Sequence, residues 1–221
     1  MKTESETAVE KYFQERGLAI EKIAEGAERS PDYRVEIGGL EIIIEVKQFD
    51  ATPDEQQRLE SLAEGEVLLL DTTPGKGVRK KITDAGAQLK GLAKGKCPAV
   101  LLLFNNRPFL LGNPANPYEV RVAMYGFESI LIANPRENTV SRVLDRKFGG
   151  SRKLTTQHNT TISAIMVMEL RGEKTLLRAY HNEHAAIPLP HGLLSELDAE
   201  EFTLTTPESG KFQDWVTING S

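Results

Sequence analysis

Internal disulfide bonds are closed to this chain. It holds one cysteine, Cys97, so no internal disulfide can form and a reducing compartment is the simple expectation. Long apolar runs are missing as well. No stretch approaches the ~20 residues needed to span a bilayer, and the opening residues MKTESETAVEKYFQERG lack the apolar segment of a secretion signal. The expectation is a soluble, cytoplasmic protein with no membrane partner. An excess of basic charge is also absent: 27 Lys and Arg stand against 32 Asp and Glu, a formal net charge of −5. That excludes a surface coated in positive charge, but a local Lys/Arg patch can still hold phosphates.

What is present is an ordinary globular composition, 39% hydrophobic and 27% charged over 221 residues, enough for one sizeable domain. Residues 4 to 16 favour a helix, with Ala8, Val9, Tyr12 and Phe13 at helical spacing and Gly17 placed to end it. Tyr33–Ile37 and Leu40–Phe49 read as strands joined by Gly38-Gly39, a strong hairpin signal. Asp50–Leu62 reads as a polar loop leading into a short helix, and Glu66–Asp71 as a buried strand. Val78–Ala93 is a helix by its Val78, Ile82, Ala85 and Leu89 spacing, and Ala99–Phe104 is a second buried strand. The order over 4–104 is α-β-β-β-α-β. Further on, Glu119–Ile132 reads as one or two strands and 133–160 as loop-rich. Thr161–Leu170 and Thr175–Tyr180 form a second hairpin, followed by a mixed tail. The whole, 1–221, is read as a single domain: a core over 4–104 and a strand-rich C-terminal extension over 105–221 packed on it.

The second strand of the first hairpin carries the chemistry. Alternation sends Ile42, Ile44 and Val46 to one face and Glu41, Ile43, Glu45 and Lys47 to the other. Glu45 and Lys47 are then neighbours, roughly 7 Å apart along the strand. The hairpin brings Asp32 near the end of the strand where Glu45 lies. Two carboxylates helped by a backbone carbonyl suit a hard divalent cation. Such a cation acidifies water and stabilises charge growing on a phosphate, and a neighbouring lysine orients the water or neutralises that charge.

Pro31-Asp32, twelve intervening residues and Glu45-Val46-Lys47 resemble the signature of the PD-(D/E)xK nuclease superfamily, and the α-β-β-β-α-β order over 4–104 matches its core. The resemblance implies an α/β fold of the restriction endonuclease-like type, with a mixed central sheet flanked by helices. It implies Mg2+, with Mn2+ as substitute, held by Asp32, Glu45 and the Val46 backbone carbonyl, and Lys47 serving the nucleophilic water. Glu6, in the pattern Glu6-x6-Phe13-x3-Gly17, would add an acidic group from the first helix, and Glu10, one turn on, is the alternative. Gln88, Lys80 and Lys81 on the later helix are candidates to reach the site. The implied activity is hydrolysis of phosphodiester bonds in DNA, of restriction, repair or defence type. Cutting both strands of a duplex would favour a homodimer with paired sites. A module that keeps the fold and binds nucleic acid without cutting it is the other reading.

Two basic stretches bear on a nucleic-acid partner. Lys76, Arg79, Lys80, Lys81, Lys90, Lys94 and Lys96 either run along phosphates or form a solvated helix face. Arg142, Arg146, Lys147, Arg152 and Lys153 flank Gly149-Gly150 in a segment expected to be a flexible loop, suited to clamping DNA. His181-Asn182-Glu183-His184 lacks a third ligand at zinc spacing, so its histidines, like His158 and His191, are expected at surfaces or turns. Cys97 is expected at the edge of the core. Gly75-Lys76-Gly77 lacks the full phosphate-loop pattern.

Overall fold

The computed structural model describes residues 2–24, 30–63, 73–93, 95–133, 142–172, 174–205 and 214–218. The first helix, α1 (Glu4–Glu15), starts in a capping box: the Thr3 side chain accepts from the Glu6 N–H, and the Glu6 carboxylate accepts from the Thr3 N–H at 2.7 Å. This satisfies two of the N–H groups that a helix start leaves bare. Val9, Tyr12 and Phe13 bury the inner face. A short strand β1 (Ile20–Lys22) follows, and then the expected hairpin, β2 (Tyr33–Ile37) and β3 (Leu40–Phe49). Gly38 and Gly39 both hold positive φ, 56° and 76°. A two-residue turn needs this to match the strands' twist, and β-carbons resist it.

Beyond the hairpin come α2 (Pro53–Ala63), α3 (Lys76–Ala93), β4 (Ala99–Asn105), α4 (Pro117–Tyr125), β5 (Phe127–Ile132) and β6 (Val143–Gly149). The chain then adds β7 (Ile162–Arg171), β8 (Lys174–His181), β9 (Glu200–Leu204) and β10 (Trp215–Thr217). Eight strands form one mixed sheet in the order β1-β2-β3-β4-β7-β8-β9-β10, and β5 pairs with β6 in a separate ribbon. The pairs β3–β4, β4–β7 and β8–β9 are parallel; the others are antiparallel. The fold is therefore α/β, with a mixed central sheet flanked by helices, and β7–β10 continue the sheet outward from β4.

Both faces of the sheet are covered. On one, Val78, Ile82 and Leu89 of α3 and Val120 and Met124 of α4 pack on Ile43, Leu101, Leu103 and Ile165. On the other, Val9 and Phe13 of α1 pack on Ile42, Ile44, Leu102 and Met166. Each such side chain contributes roughly 1.5–3 kcal/mol by leaving water. Two covered faces also explain why β4 reads as an unbroken apolar run instead of an alternating one. Ile43, assigned by alternation to the charged face, is buried because α3 lies over that face.

Three sequence expectations need correction. Glu119–Ile132 is helix α4 followed by a single strand. Val120–Tyr125 has strand-like composition, but Asn116 caps the segment by accepting from the Tyr118 and Glu119 N–H groups, and Pro117 sits at the first helical turn. The cap outweighs a weak propensity. The region 133–160 contains the strand β6, carrying Arg146 and Lys147 opposite Ile130 and Ser129, so those two residues do not lie in a loop. The strand β1 was not anticipated, because three residues are too few for a pattern. The expected strand Glu66–Asp71 lies outside the described residues. No helix among the described residues is long and apolar enough to cross a membrane.

Candidate active site

The hairpin register sets the centre of the site. Tyr33 pairs with Ile44, so Asp32, one residue earlier, lies beside the C-terminal half of β3. Its Oδ2 accepts the Val46 N–H at 2.8 Å, which locks the carboxylate to the strand that carries Glu45 and Lys47. Glu45 is completely buried, 0% exposed. Its Oε2 has no hydrogen-bond partner, and its Oε1 is touched by the ammonium of Lys47. Lys47 is turned toward α3, where its Nζ donates to Gln88 Oε1 at 3.2 Å. Gln88 Nε2 in turn donates to the Ser30 carbonyl at 3.2 Å. A chain of polar contacts thus runs Glu45–Lys47–Gln88–Ser30 and ties β3, α3 and the entry to β2 together.

Burial governs the electrostatics. It pushes the Glu45 carboxyl up to about 7, with the Asp32 charge adding to the rise and Lys47 opposing it. Burial also raises Asp32, against the lowering pull of the Val46 N–H and Lys47. Two carboxylates whose charged forms are both disfavoured lie side by side, the arrangement that an added cation relieves. Burial lowers Lys81, with the like charges of Lys80 and Lys47 helping. Tyr33 is raised by burial and by the Glu10 carboxylate.

The other expected residues divide into near and far. Glu6 is ion-paired with Lys22 of β1 while closing the capping box, and both contacts hold its carboxyl below the usual range. Its charge still reaches Asp32 and raises it, so Glu6 borders the site with its oxygens already engaged. Glu10 pairs with Lys2 and accepts from the Tyr33 hydroxyl at 3.0 Å. Gln88 is the α3 residue that touches the trio. Lys81 Nζ stands 5.3 Å from the Phe49 ring centroid, at the rim. Lys80 turns away into a cleft that it shares with Arg152 and Lys153. Arg146 and Lys147 belong to the β5–β6 ribbon. Lys22 and the Ser30 carbonyl were missed. The first sits on an unanticipated strand, and the second is backbone, which no side-chain motif encodes.

Among the described residues, no group of three or more His, Cys, Asp or Glu side chains is arranged to hold a metal. Asp32 and Glu45 form a pair, and their chemistry fits a hard divalent ion. Glu45 presents a buried carboxyl with Oε1 against Lys47 and Oε2 without a hydrogen bond, and keeping such a group charged costs several kcal/mol unless further positive charge compensates it. Asp32 spends one oxygen on Val46. Elsewhere, His181 is buried rather than at a surface, 2.8 Å from Glu201 Oε2. His184 lies 3.5 Å from Glu183. Cys97 is half-buried and packs against the core edge, as expected.

Searches against family models, curated proteins and solved structures returned no match to this chain. The residues themselves must therefore carry the functional reading.

Proposed function

We propose that this protein is a metal-dependent nuclease of the restriction endonuclease-like type, hydrolysing phosphodiester bonds in nucleic acid, DNA first, with Mg2+ or Mn2+ as cofactor. The observation that carries the reading is Glu45. A fully buried carboxyl, with Oε1 met by the Lys47 ammonium and Oε2 without a hydrogen-bond partner, sits between Asp32 and Lys47, the two residues that the signature pairs with it. A protein fold tolerates such a group where a ligand completes it.

Asp32, Glu45 and the Val46 carbonyl would hold the cation, which when bound supplies Lewis acidity and an acidified water. The residues do the rest. The Val46 N–H fixes Asp32, leaving its other oxygen for binding. Gln88 holds the Lys47 ammonium beside Glu45, where it positions the attacking water and offsets charge developing on the phosphate. Glu6, Lys22 and Glu10 fix the charge at the rim of the site. If the nuclease is a homodimer, a duplex would meet two such sites.

The test is cleavage of DNA with Mg2+ by the wild-type protein and by Asp32→Asn and Lys47→Ala, with circular dichroism to confirm folding. Both folded variants are expected to be inactive. Unchanged cleavage by either overturns the assignment. A wild-type protein that neither binds Mn2+ nor cuts DNA or RNA supports the non-cutting module instead.

A further inference from the structure

The flank of α3 facing away from Gln88 is open in part among the described residues. Along it run two connected clefts. One, of about 570 Å³, lies between α3 at Thr83, Gly86 and Lys90 and the segment 152–162. The second, of about 380 Å³, continues toward the start of the helix between Lys76, Arg79 and Lys80 and residues 151–153. Helical spacing places the core residues Val78, Ile82, Ala85 and Leu89 between this flank and the one bearing Lys81 and Gln88. The catalytic hairpin and the clefts therefore lie on either side of one rigid helix.

The far wall is built, in contrast to the flexible loop expected from its sequence. Leu154 is completely buried. The Lys153 and Leu154 N–H groups donate to the Ala123 and Met124 carbonyls at 3.0 and 2.9 Å. Asn159, at φ 54°, donates through Nδ2 to the Lys153 carbonyl at 2.8 Å. Gly86 lets the wall seat against the helix, since a β-carbon there would fall 2.8 Å from Asn159 Oδ1.

The lining is cationic. Lys76, Arg79, Lys80, Lys90, Arg152 and Lys153 face the clefts. Among the described residues, none of the six is ion-paired with a carboxylate, although the chain as a whole is acidic. Arg79 Nη1 is buried without a hydrogen-bond partner. Glu119 of α4 accepts from the Gly75 N–H, just before α3. Like charges collected in a concavity repel one another and focus a positive field. From Lys76 to Lys90 the helix rises roughly 21 Å at about 1.5 Å per residue. That length matches about six phosphates of one strand at ~3.4 Å each.

We infer that this cleft is an anchoring groove for the phosphate backbone of a polynucleotide, separate from the hydrolytic trio and filled by substrate flanking the bond to be cut. The choice of nucleic acid as occupant rests on the nuclease reading. The binding itself requires no metal and no cleavage, so the two ideas fail separately.

The test is fluorescence anisotropy with a labelled DNA of about 20 nucleotides, single-stranded and duplex, in EDTA over a salt series. The proteins are wild type and a triple variant Lys80→Ala, Lys90→Ala and Arg152→Ala, whose replaced side chains are all exposed. The triple variant is expected to bind at least about tenfold more weakly. Its plot of log K against log salt should be shallower by about 2, at ~0.7–0.9 for each phosphate that is no longer neutralised. Lys11→Ala, on the exposed side of α1, serves as a charge control and should bind normally. Equal affinity and equal salt slope for the triple variant and wild type overturn the inference, as does a wild-type protein that binds neither DNA. DNA binding in EDTA without cleavage in Mg2+ leaves the groove standing and removes the nuclease reading.

Discussion

Two glutamates are buried in this sheet, and they are buried in opposite ways. Glu201 on β9 is 4% exposed, and its carboxylate is fully engaged: Oε1 accepts the Leu194 N–H at 3.0 Å, and Oε2 meets the Gly192 N–H at 3.1 Å and His181 Nε2 at 2.8 Å. Glu45 on β3 is 0% exposed, accepts no backbone N–H, and leaves Oε2 without a hydrogen-bond partner while Oε1 meets the Lys47 ammonium. The first carboxylate is a rivet, holding the turn at 192–194 to the sheet. The second is left open beside another carboxylate and a lysine. One residue type at one depth thus separates structure from function by how far its hydrogen-bonding capacity is used.

The same substitution at both positions probes this contrast most directly. On the proposed nuclease reading, Glu45→Gln is expected to lower Mg2+-dependent cleavage by about a thousandfold or more, because it would remove a charge that holds the cation. On the same reading, Glu201→Gln should leave the folded protein within a few fold of wild-type activity in a rate assay well below its melting temperature. If the two variants lose activity equally, the distinction collapses.

Stability should separate them with opposite signs. Glu201→Gln loses an acceptor and strands a buried donor, at a cost of about 1–3 kcal/mol, read as an earlier urea midpoint. Glu45→Gln removes a charge that the metal-free fold has to desolvate, and at pH 8 is expected to gain about 1–3 kcal/mol in EDTA. The pH dependence follows from linkage. The folded carboxyl of Glu45 is raised to about 7 from 4.5, so the native state binds the proton more tightly than the unfolded chain does. Metal-free wild type therefore loses stability as pH rises from about 4.5 through about 7, then levels off. The Glu45→Gln advantage should grow over that window and be small near pH 4.5. Urea titrations at several pH values check it, and a constant advantage would contradict the burial argument.

Saturating Mn2+ should raise the melting temperature of wild type and not that of Glu45→Gln, since only a native state that binds the ion gains from it. Scanning calorimetry reads the shift. The smallest effect is expected at Gln88→Ala, which leaves Lys47 paired with Glu45 but free to swing. A loss of about tenfold in kcat, with folding unchanged, fits a positioning role. Loss of the fold would mean that Gln88 acts chiefly through its bond to Ser30.

Much of the hairpin was legible because its information is local. A two-glycine turn, alternation on β3 and the spacing from Asp32 to Lys47 fix one another within a short segment, and the register follows. The total burial of Glu45 was not legible, because it comes from α3, which arrives later in the chain and lies over the face that alternation marks as charged. Lys22 and Ser30 lie on segments too short or too featureless to announce themselves. Helix α4 was hidden by β-branched residues and revealed only by the cap at Asn116. The wall of the basic groove looked like a loose Gly-Gly loop because what pins it, Leu154 and the Asn159 side chain, makes its contacts through space.

The parallel pairing of β4 with β7 also matters to the protein while it is being made. The chain emerges with Ala-Val-Leu-Leu-Leu-Phe of β4 well ahead of its partner, which begins about 60 residues later. Until β7 is synthesised and closes that long loop, β4 can pair with β3 but offers an open, apolar strand edge on its other side. Such a segment is an aggregation hazard during translation. The yield of this protein in cells is therefore bound to how quickly its second half follows its first.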